Sequence, residues 1–173
     1  DGKCLVRFED TNPELSKQEY VDAILEDIEY LGIKADKVTF ASHDLQKFYS
    51  YAEKLLDKQA YVCFCNVEDM RELRRQGKEC KCRNSSAADN KKNWKKMLAK
   101  EFEAGDAVLR IKGNMKSKNS VMRDPVIFRI SYEKHYSHGN KYCVWPLYDF
   151  ENAIEDGLHG VTHILRSIEF GGM

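Results

Sequence analysis

The chain has 173 residues, with 28 lysines and arginines against 28 aspartates and glutamates, and 42% of its residues are apolar. This length suits one ordinary domain or two small ones that share a core, and the apolar content excludes a wholly disordered chain. No apolar run approaches the roughly 20 residues of a membrane-spanning helix, and no secretory signal is visible. We therefore expect a soluble cytoplasmic protein with no membrane partner. Because the sequence opens at Asp1 on a strand-like run, we also expect it to be a piece of something longer.

The first 65 residues alternate between strand and helix patterns. Residues 4–8 form a short apolar run typical of a buried strand. Ser16 followed by Glu19 gives the capping-box pattern of a helix start, and Gly32 is well placed to end that helix. The remaining predicted elements of this half are a strand at 38–40, a helix that begins at Asp44, and an extended run at 61–65. This alternation predicts an α/β fold with parallel strands.

After Ala60 the strict alternation stops. The predicted elements are helices at 68–75 and 89–102, strands at 107–112, 126–130 and 142–145, a loop and helix at 149–160, and a strand at 161–166. Residues 77–88 are irregular and rich in Cys, Ser and Lys. The pattern predicts boundaries near residues 60 and 143, with an α+β module inserted into an α/β framework.

The zero net charge conceals an asymmetry along the chain. Residues 61–123 contain 16 basic and 8 acidic side chains, so the rest of the chain carries 12 against 20. A basic segment between acidic ones favours a polyanion-binding insert. The alternative is a solvated helical surface, on which the charge has no partner.

Four of the six cysteines form two C-x-C pairs, Cys63 with Cys65 and Cys80 with Cys82. Residues two apart in an extended or turning segment can direct both thiols to one side. Two facing pairs would supply the four thiolates that structural Zn²⁺ prefers. Unliganded thiols and disulfides remain as alternatives, although the lack of a secretory feature argues against disulfides.

No nucleophile, general base or Gly-rich phosphate loop can be recognised, and no residue is predicted to form a covalent intermediate. His163 lies in an apolar run, and we expect it to be a buried core histidine whose ring nitrogens are hydrogen-bonded. The other histidines, which lie in polar stretches and predict no chemical role, are His43, His135, His138 and His159.

Three longer motifs add a resemblance. Residues 5–13 read LVRFEDTNP, residues 146–150 read PLYDF, and residues 160–170 read GVTHILRSIEF. In order and rough spacing they resemble segments of the glutamyl- and glutaminyl-tRNA synthetases. Residues 61–83 and the MRDP segment at 122–125 resemble the archaeal and eukaryotic branch, and the resemblance extends over essentially the whole chain.

The resemblance implies a class I synthetase, with a Rossmann-like catalytic domain interrupted by an insertion that binds the acceptor end of tRNA. Residues 1–60 would be the first part of the catalytic domain, 61–143 the insertion, and 144–173 the return to the catalytic domain. The family consumes ATP with Mg²⁺, activates its amino acid as an adenylate and transfers it to the tRNA 3′ end. Related bacterial enzymes hold zinc in this insertion through C-x-C pairs, so the resemblance also favours Zn²⁺ here.

The resemblance assigns the amino-acid pocket to five residues. Glu9 matches the acid that holds the substrate α-ammonium, although it could also be a loop-capping acid. Arg7 would support it from the same side of an extended strand. Tyr148 and Asn152, four residues apart, would fix the substrate by neutral hydrogen bonds, although Tyr148 could be an ordinary core aromatic.

Arg166 decides between glutamate and glutamine. A guanidinium can pair bidentately with a γ-carboxylate but not equally with a carboxamide, so Arg166 favours L-glutamate and tRNA(Glu); the alternative is a surface arginine. Glu169 and Phe170 match positions near the ATP ribose and the tRNA 3′ end, where Phe170 could stack on a base.

The sequence departs from the family in lacking the HIGH and KMSKS segments, which grip ATP, and the anticodon-binding domain. We therefore expect no aminoacylation by this chain alone. Three alternatives remain: a glutaminyl-tRNA synthetase core, a non-catalytic zinc-stabilised tRNA-binding module, and a paralogue that glutamylates a modified tRNA nucleotide.

Overall fold

The computed structural model describes residues 2–165 and divides that range into six strands, five α-helices and three short 3₁₀ turns. The strands are β1 (Leu5–Phe8), β2 (Lys37–Phe40), β3 (Ala60–Cys63), β4 (Val108–Ile111), β5 (Val126–Ile130) and β6 (Val144–Pro146). The helices are α1 (Gln18–Tyr30), α2 (Leu45–Leu55), α3 (Val67–Gln76), α4 (Ala87–Leu98) and α5 (Tyr148–His159). No helix in the described range is both long and apolar enough to cross a membrane.

The strands form two sheets of different type. β1 and β2 pair in parallel, with Val6 opposite Val38, and α1 provides the crossover between them. This βαβ unit confirms the α/β prediction. β3 does not extend that sheet, so the expectation that it would run parallel is wrong. Its main-chain partner is β4, which follows it in the chain and runs antiparallel to it. β3 therefore begins a separate four-stranded sheet in the order β3-β4-β5-β6.

Several element boundaries differ from the sequence prediction. The N-cap of α1 is Lys17, with no capping side-chain bond, so the Ser16–Glu19 capping box is wrong; the Ser16 amide bonds the Asn12 carbonyl instead. Helix α4 begins after Ser86, whose hydroxyl accepts from the Asp89 amide, and ends at Leu98.

The C-terminal strand expected at 161–166 is also wrong for its described part. Residues 161–165 have no regular secondary structure. Gly160 ends α5 in the left-handed region at φ 62°, and the Val161 amide bonds back to the Asp156 carbonyl. This C-cap turns the chain away from any strand partner.

One apolar core lies between the antiparallel sheet and helices α2 and α4. Phe48 from α2, Trp94 from α4 and Phe128 from β5 are buried in it, and the Trp94 and Phe128 rings meet edge-on at 5.1 Å. The Tyr49 hydroxyl of α2 donates to the Val144 carbonyl of β6 at 2.6 Å. The segments before residue 60 and after it therefore share this core, and the division at residues 60 and 143 stays a prediction.

Asp124 ties the loop between β4 and β5 to the rest of the sheet. Its carboxylate is fully buried and accepts from the Tyr61 hydroxyl at 2.9 Å, from Arg83 Nε at 2.8 Å and from the Gly113 amide at 2.7 Å. At Gly113 a Cβ would lie 2.1 Å from the Met122 carbonyl oxygen, so only glycine allows this approach.

We expect Asp124→Asn to lower the free energy of unfolding by about 3 kcal/mol, because it removes the buried one of the two carboxylates that pair with Arg83 and leaves only the exposed one, Glu79. Because asparagine tolerates the φ of 46° at this position, the loss of stability measures the removal of the charge and not backbone strain. The matched variant is Asp57→Asn, which breaks the exposed pair with Lys91 and should cost about 1 kcal/mol or less. Urea unfolding measures the free energy of unfolding of both variants. Equal losses of stability would contradict the assignment of Asp124 as the buried partner of Arg83.

Candidate functional site

A cleft of about 1460 Å³ lies beside the parallel sheet. Its walls are β1 with the loop that follows it, one face of α5, and residues 160–165. The polar residues of its lining include Arg7, Glu9, Tyr148, Asn152, Asp156 and His159. Four of these six are residues that the sequence assigned to an amino-acid pocket. We call this space the large cleft.

Arg7 organises the wall of the large cleft. It donates from Nε to Glu9 Oε1 at 2.6 Å, from Nη1 to Asp156 Oδ1 at 2.8 Å, and from Nη2 to Asn152 Oδ1. Burial disfavours the charged guanidinium, but the bonds to Glu9 and Asp156 outweigh it and raise the pKa of Arg7. Arg7 therefore fixes both the Glu9 carboxylate and the adjacent face of α5.

Helix α5 places its cleft residues one turn apart. Tyr148 is its first residue, Asn152 is one turn on, and Asp156 is one turn further, so all three share a face. Tyr148 is half-buried and Asn152 is buried. The sequence analysis missed Asp156, although its spacing of four from Asn152 was the available signal.

Three residues assigned from the sequence, Arg166, Glu169 and Phe170, lie outside the described residues. The described segment that precedes them, residues 160–165, lines the large cleft.

A second buried acid lies against Glu9. Glu151 is 1% exposed, and burial together with the Glu9 carboxylate raises its pKa to about 9. Glu9 Oε2 and Glu151 Oε2 are both buried, and neither has a hydrogen-bond donor among the described residues apart from the proton that the two acids can share. A protonated Glu151 can donate to the Glu9 carboxylate and leave the negative charge on Glu9. Sequence reasoning missed Glu151 because its neighbour is 142 residues away.

A further cluster of titratable groups joins the last turn of α5 to Asp44, the residue before α2. Buried Glu155 accepts from His159 Nε2 at 3.0 Å, and burial together with Asp44 raises the pKa of Glu155 to about 7. These three side chains could converge on a cation, since their ligand atoms lie within 4.8 Å of one another. Lys47 Nζ, however, is 2.9 Å from Asp44, and Lys37 Nζ is 3.4 Å from His159 Nδ1. Lysine charges therefore already offset this cluster.

The histidine expectations were partly wrong. His135 is fully buried, and its Nε2 lies 2.7 Å from the Asp10 carbonyl oxygen. His138 Nε2 lies 3.0 Å from Ser42 Oγ, and the Asp10 carboxylate accepts from that same hydroxyl at 2.8 Å. These histidines pack the loop before β6 onto the end of β1. His163, expected in the core, is exposed because residues 161–165 lie on the surface.

The four paired cysteines meet at the end of β3. Cys63 Sγ lies 3.9 Å from Cys80 Sγ, and Cys65 Sγ lies 3.8 Å from Cys82 Sγ. All four sulfur atoms lie within 4.8 Å of one another, and three of the residues are buried. Zn–S bonds of about 2.3 Å in a tetrahedron place sulfurs about 3.8 Å apart, so the donor set fits a zinc ion. The sulfurs are too far apart for disulfides, and all six cysteines are free.

Glu151 makes stability depend on pH. Its carboxyl has a pKa of about 9 in the folded protein against a reference of 4.5, so the folded state holds a proton that the unfolded state releases between these values. This contribution therefore lowers the free energy of unfolding as pH rises from about 4.5 to about 9. We expect Glu151→Gln, whose amide can still donate to Glu9, to raise Tm at pH 8.5 by about 2–4 °C or more and to change it less at pH 5.

Calorimetry at the two pH values measures this effect. Glu53→Gln, on the exposed face of α2, is the matched control and should change Tm equally little at both. A Glu151→Gln variant that is destabilised at pH 8.5 would show that the acid is ionised in the folded protein.

The chain is similar to known proteins over almost its whole length. The family described as "tRNA synthetases class I (E and Q), catalytic domain" matches residues 1–172. The chain is 49% identical over 170 residues to the "Glutamate--tRNA ligase" of Nitrosopumilus maritimus, with 98% of this chain and 30% of that protein covered. It is 46% identical to the protein of the same name from Archaeoglobus fulgidus, with 96% and 31% covered.

Two further similarities extend this result. The "Glutamine--tRNA ligase" of Clostridium kluyveri is 41% identical, with 98% of this chain and 32% of that protein covered. The solved structure of a glutamate tRNA ligase from Elizabethkingia meningosepticum, in complex with its amino acid, shares the fold at a TM-score of 0.63. That pair is 21% identical, over 98% of this chain and 38% of the other. The chain spans about a third of the length of these relatives, and it belongs to the class I tRNA synthetase family that comprises the glutamate and glutamine enzymes, within their catalytic domain.

Proposed function

We propose that the chain is catalytic-core sequence of a glutamate–tRNA ligase, which activates L-glutamate with ATP and transfers it to the 3′ end of tRNA(Glu). The observation that carries this proposal is the convergence of Arg7, Glu9, Tyr148 and Asn152 on one cleft. The names of relatives support it, because similar proteins from Nitrosopumilus maritimus, Archaeoglobus fulgidus and Pyrococcus furiosus are named glutamate--tRNA ligase.

Each end of the amino acid has a partner of suitable chemistry. The Glu9 carboxylate would hold the α-ammonium, with its direction set by Arg7 and its charge kept by a protonated Glu151. Tyr148 and Asn152 would add neutral hydrogen bonds. Arg166 would pair with the γ-carboxylate and thereby select glutamate over glutamine.

The reaction needs position rather than a protein nucleophile. The glutamate carboxylate attacks the α-phosphorus of ATP, which gives glutamyl-adenylate and releases pyrophosphate. A hydroxyl of the terminal tRNA ribose then takes the glutamyl group and releases AMP. Mg²⁺ would accompany ATP, and Glu169 and Phe170 would lie near the ribose and the tRNA end. Fixed hydrogen-bond donors and excluded water supply the rate enhancement in such a scheme.

The tRNA acceptor end would lie on the basic insertion. Most lysines of α4 are exposed on the helix face opposite Trp94 and Met97, which face the core. A row of unburied ammonium groups suits a phosphate backbone and gives binding that weakens with salt. The non-catalytic tRNA-binding module remains the second candidate, and it predicts no response to glutamate.

We also propose that Zn²⁺ occupies the cysteine cluster as a structural ion. The sulfur distances near 3.8 Å and the buried setting support four-coordinate binding with no open position for substrate. The ion would join β3 to the 3₁₀ turn at Lys81–Asn84. It would so stabilise the small buried cluster beside α3 that is formed by Tyr61, Cys63, Met70, Cys80 and Cys82.

Titration calorimetry of the chain with L-glutamate tests the pocket assignment. We expect Arg166→Ala to weaken glutamate binding about 10- to 100-fold, because a charge-assisted pair is lost, and to reduce the preference over L-glutamine. Arg71→Ala on the exposed face of α3 is the control and should leave binding unchanged. Unchanged affinity in Arg166→Ala would remove this residue from the pocket, and a preference for glutamine would favour the glutaminyl alternative.

Native mass spectrometry tests the metal. We expect the folded chain to be heavier than the denatured chain by one zinc ion, and Cys63→Ser or Cys82→Ser to abolish the difference. Cys143→Ser lies outside the cluster and should retain the ion. A native mass without a metal increment would instead assign the four cysteines as free thiols.

A further inference from the structure

A second cleft, of about 620 Å³, lies beside the cysteine cluster between α3 and the strands β4 and β5. Its lining includes five arginines, Arg71, Arg74, Arg75, Arg110 and Arg123, and no aspartate or glutamate among the residues that the structure describes. We call it the arginine cleft. Five guanidinium groups around one small cavity repel each other, so their charges need partners.

Among the residues that the structure describes, only two of the five have carboxylate partners. Arg71 and Arg75 are exposed on α3 and pair with Glu68 and Glu72, one turn earlier on the same helix. The other three, Arg74, Arg110 and Arg123, form no salt bridge with any described residue. They are the unneutralised arginines of the cleft.

These three arginines are held in place by main-chain carbonyls. Arg74 donates to the carbonyls of Arg123 and Ser120 at 2.8 and 2.7 Å. Arg123 donates to the carbonyls of Ser117 and Arg74, at 2.7 and 2.8 Å. Arg110 donates to the Asp124 carbonyl at 2.8 Å. Neutral acceptors orient a guanidinium without cancelling its charge, so the cleft is pre-organised and remains positive.

Arg110 has a donor without a partner. It is 7% exposed, and its Nε is buried with no acceptor among the described residues. Arg74 lies close enough to the other two that burial and their repulsion lower its pKa. A buried donor without an acceptor and a cluster of repelling guanidiniums are both costly unless an anion joins them, so the arrangement around Arg110 points to an anionic ligand.

We propose that the arginine cleft binds a phosphodiester group of RNA through Arg74, Arg110 and Arg123. The inference rests on the proposed function, in which this insertion holds the acceptor end of tRNA. A guanidinium matches the geometry of phosphate oxygens with two parallel donors, and the cavity is large enough for a backbone phosphate. The contact would anchor the RNA independently of its sequence.

The same charges have a competing explanation. Cys63 and Cys65 also line the cleft, and four thiolates around a zinc ion carry a formal charge of −2. The arginines would then serve only as counter-charges to the metal centre. This explanation predicts a loss of zinc in arginine variants, whereas phosphate binding predicts a loss of RNA affinity with zinc retained.

Fluorescence anisotropy of the whole chain with a labelled hairpin RNA, a 12-base-pair stem with a single-stranded 3′ end, tests the proposal. We expect Arg74→Gln or Arg110→Gln to raise Kd about tenfold and to reduce the slope of log Kd against log salt by about 1, as the loss of one phosphate contact does. The matched control is Arg75→Gln, adjacent on α3 but paired with Glu72, and it should change Kd less than threefold. Native mass spectrometry of each variant reports its zinc.

A measurement without mutation guards against variants that fail to fold. In the ¹⁵N-arginine spectrum of the wild-type chain, the Nε–H signal of Arg110 should shift on adding the RNA, and that of Arg75 should not. If the variants bind the RNA with unchanged affinity and the Arg110 signal does not shift, the arginine cleft is not the phosphate site. The proposal that the insertion binds tRNA would then remain. Loss of zinc with full RNA affinity also overturns the phosphate site. If the wild-type chain does not bind the RNA, both the phosphate site and the proposed tRNA binding by the insertion are refuted. The glutamate titration tests the amino-acid pocket separately.

Discussion

The candidate site depends on the pairing of one part-buried arginine with acceptors from two distant parts of the chain. Arg7 lies on β1, and its partner Asp156 lies on α5, 149 residues later. A guanidinium that is mostly removed from water must have its donors satisfied, and the three acceptors of Arg7 come from the strand end and from the helix. The contacts that meet this requirement also orient Glu9 and set α5 against the parallel sheet. Stability and site geometry are therefore produced by the same hydrogen bonds.

Burial has different effects on the charged side chains of the two clefts. Behind the wall of the large cleft Glu151 lies against Glu9, and burial together with the Glu9 carboxylate raises the pKa of Glu151 to about 9, so this carboxyl can hold a proton and donate it to Glu9. In the arginine cleft the groups are guanidiniums, which do not deprotonate in proteins, so charge accumulates instead of being lost. The first arrangement prepares a single carboxylate for an ammonium group, and the second leaves a surplus of positive charge beside the cysteine cluster. A chain with zero net charge thus presents one cleft in which acidic and basic side chains balance and a second in which arginines are in excess.

Much of the architecture could be predicted from local patterns. The strand at residues 5–8, the crossover helix and the strand at residues 37–40 have the periodicities expected of a βαβ unit, and the structure contains it. The pairing of β3 could not be predicted, because a short apolar strand has the same pattern in a parallel sheet and an antiparallel one. The capping box at Ser16 failed for a related reason. Its backbone amide was taken by a turn at Asn12, a competing local hydrogen bond that the residue types alone do not rank.

The sequence by itself determined which chemical groups are available: the motifs of the synthetase family, the C-x-C pairs, and the basic composition of residues 61–123. These follow from residue identity and short spacing, which are local properties. Only the tertiary structure decided that Asp156 and Glu151 join Arg7 and Glu9, that four thiols lie at tetrahedral distances, and that three arginines share a cavity without a carboxylate. Each of those outcomes depends on how α5, the antiparallel sheet and the 113–125 loop pack together. Packing is set by the burial of apolar surface across the whole chain, and no local pattern records which polar groups it brings together.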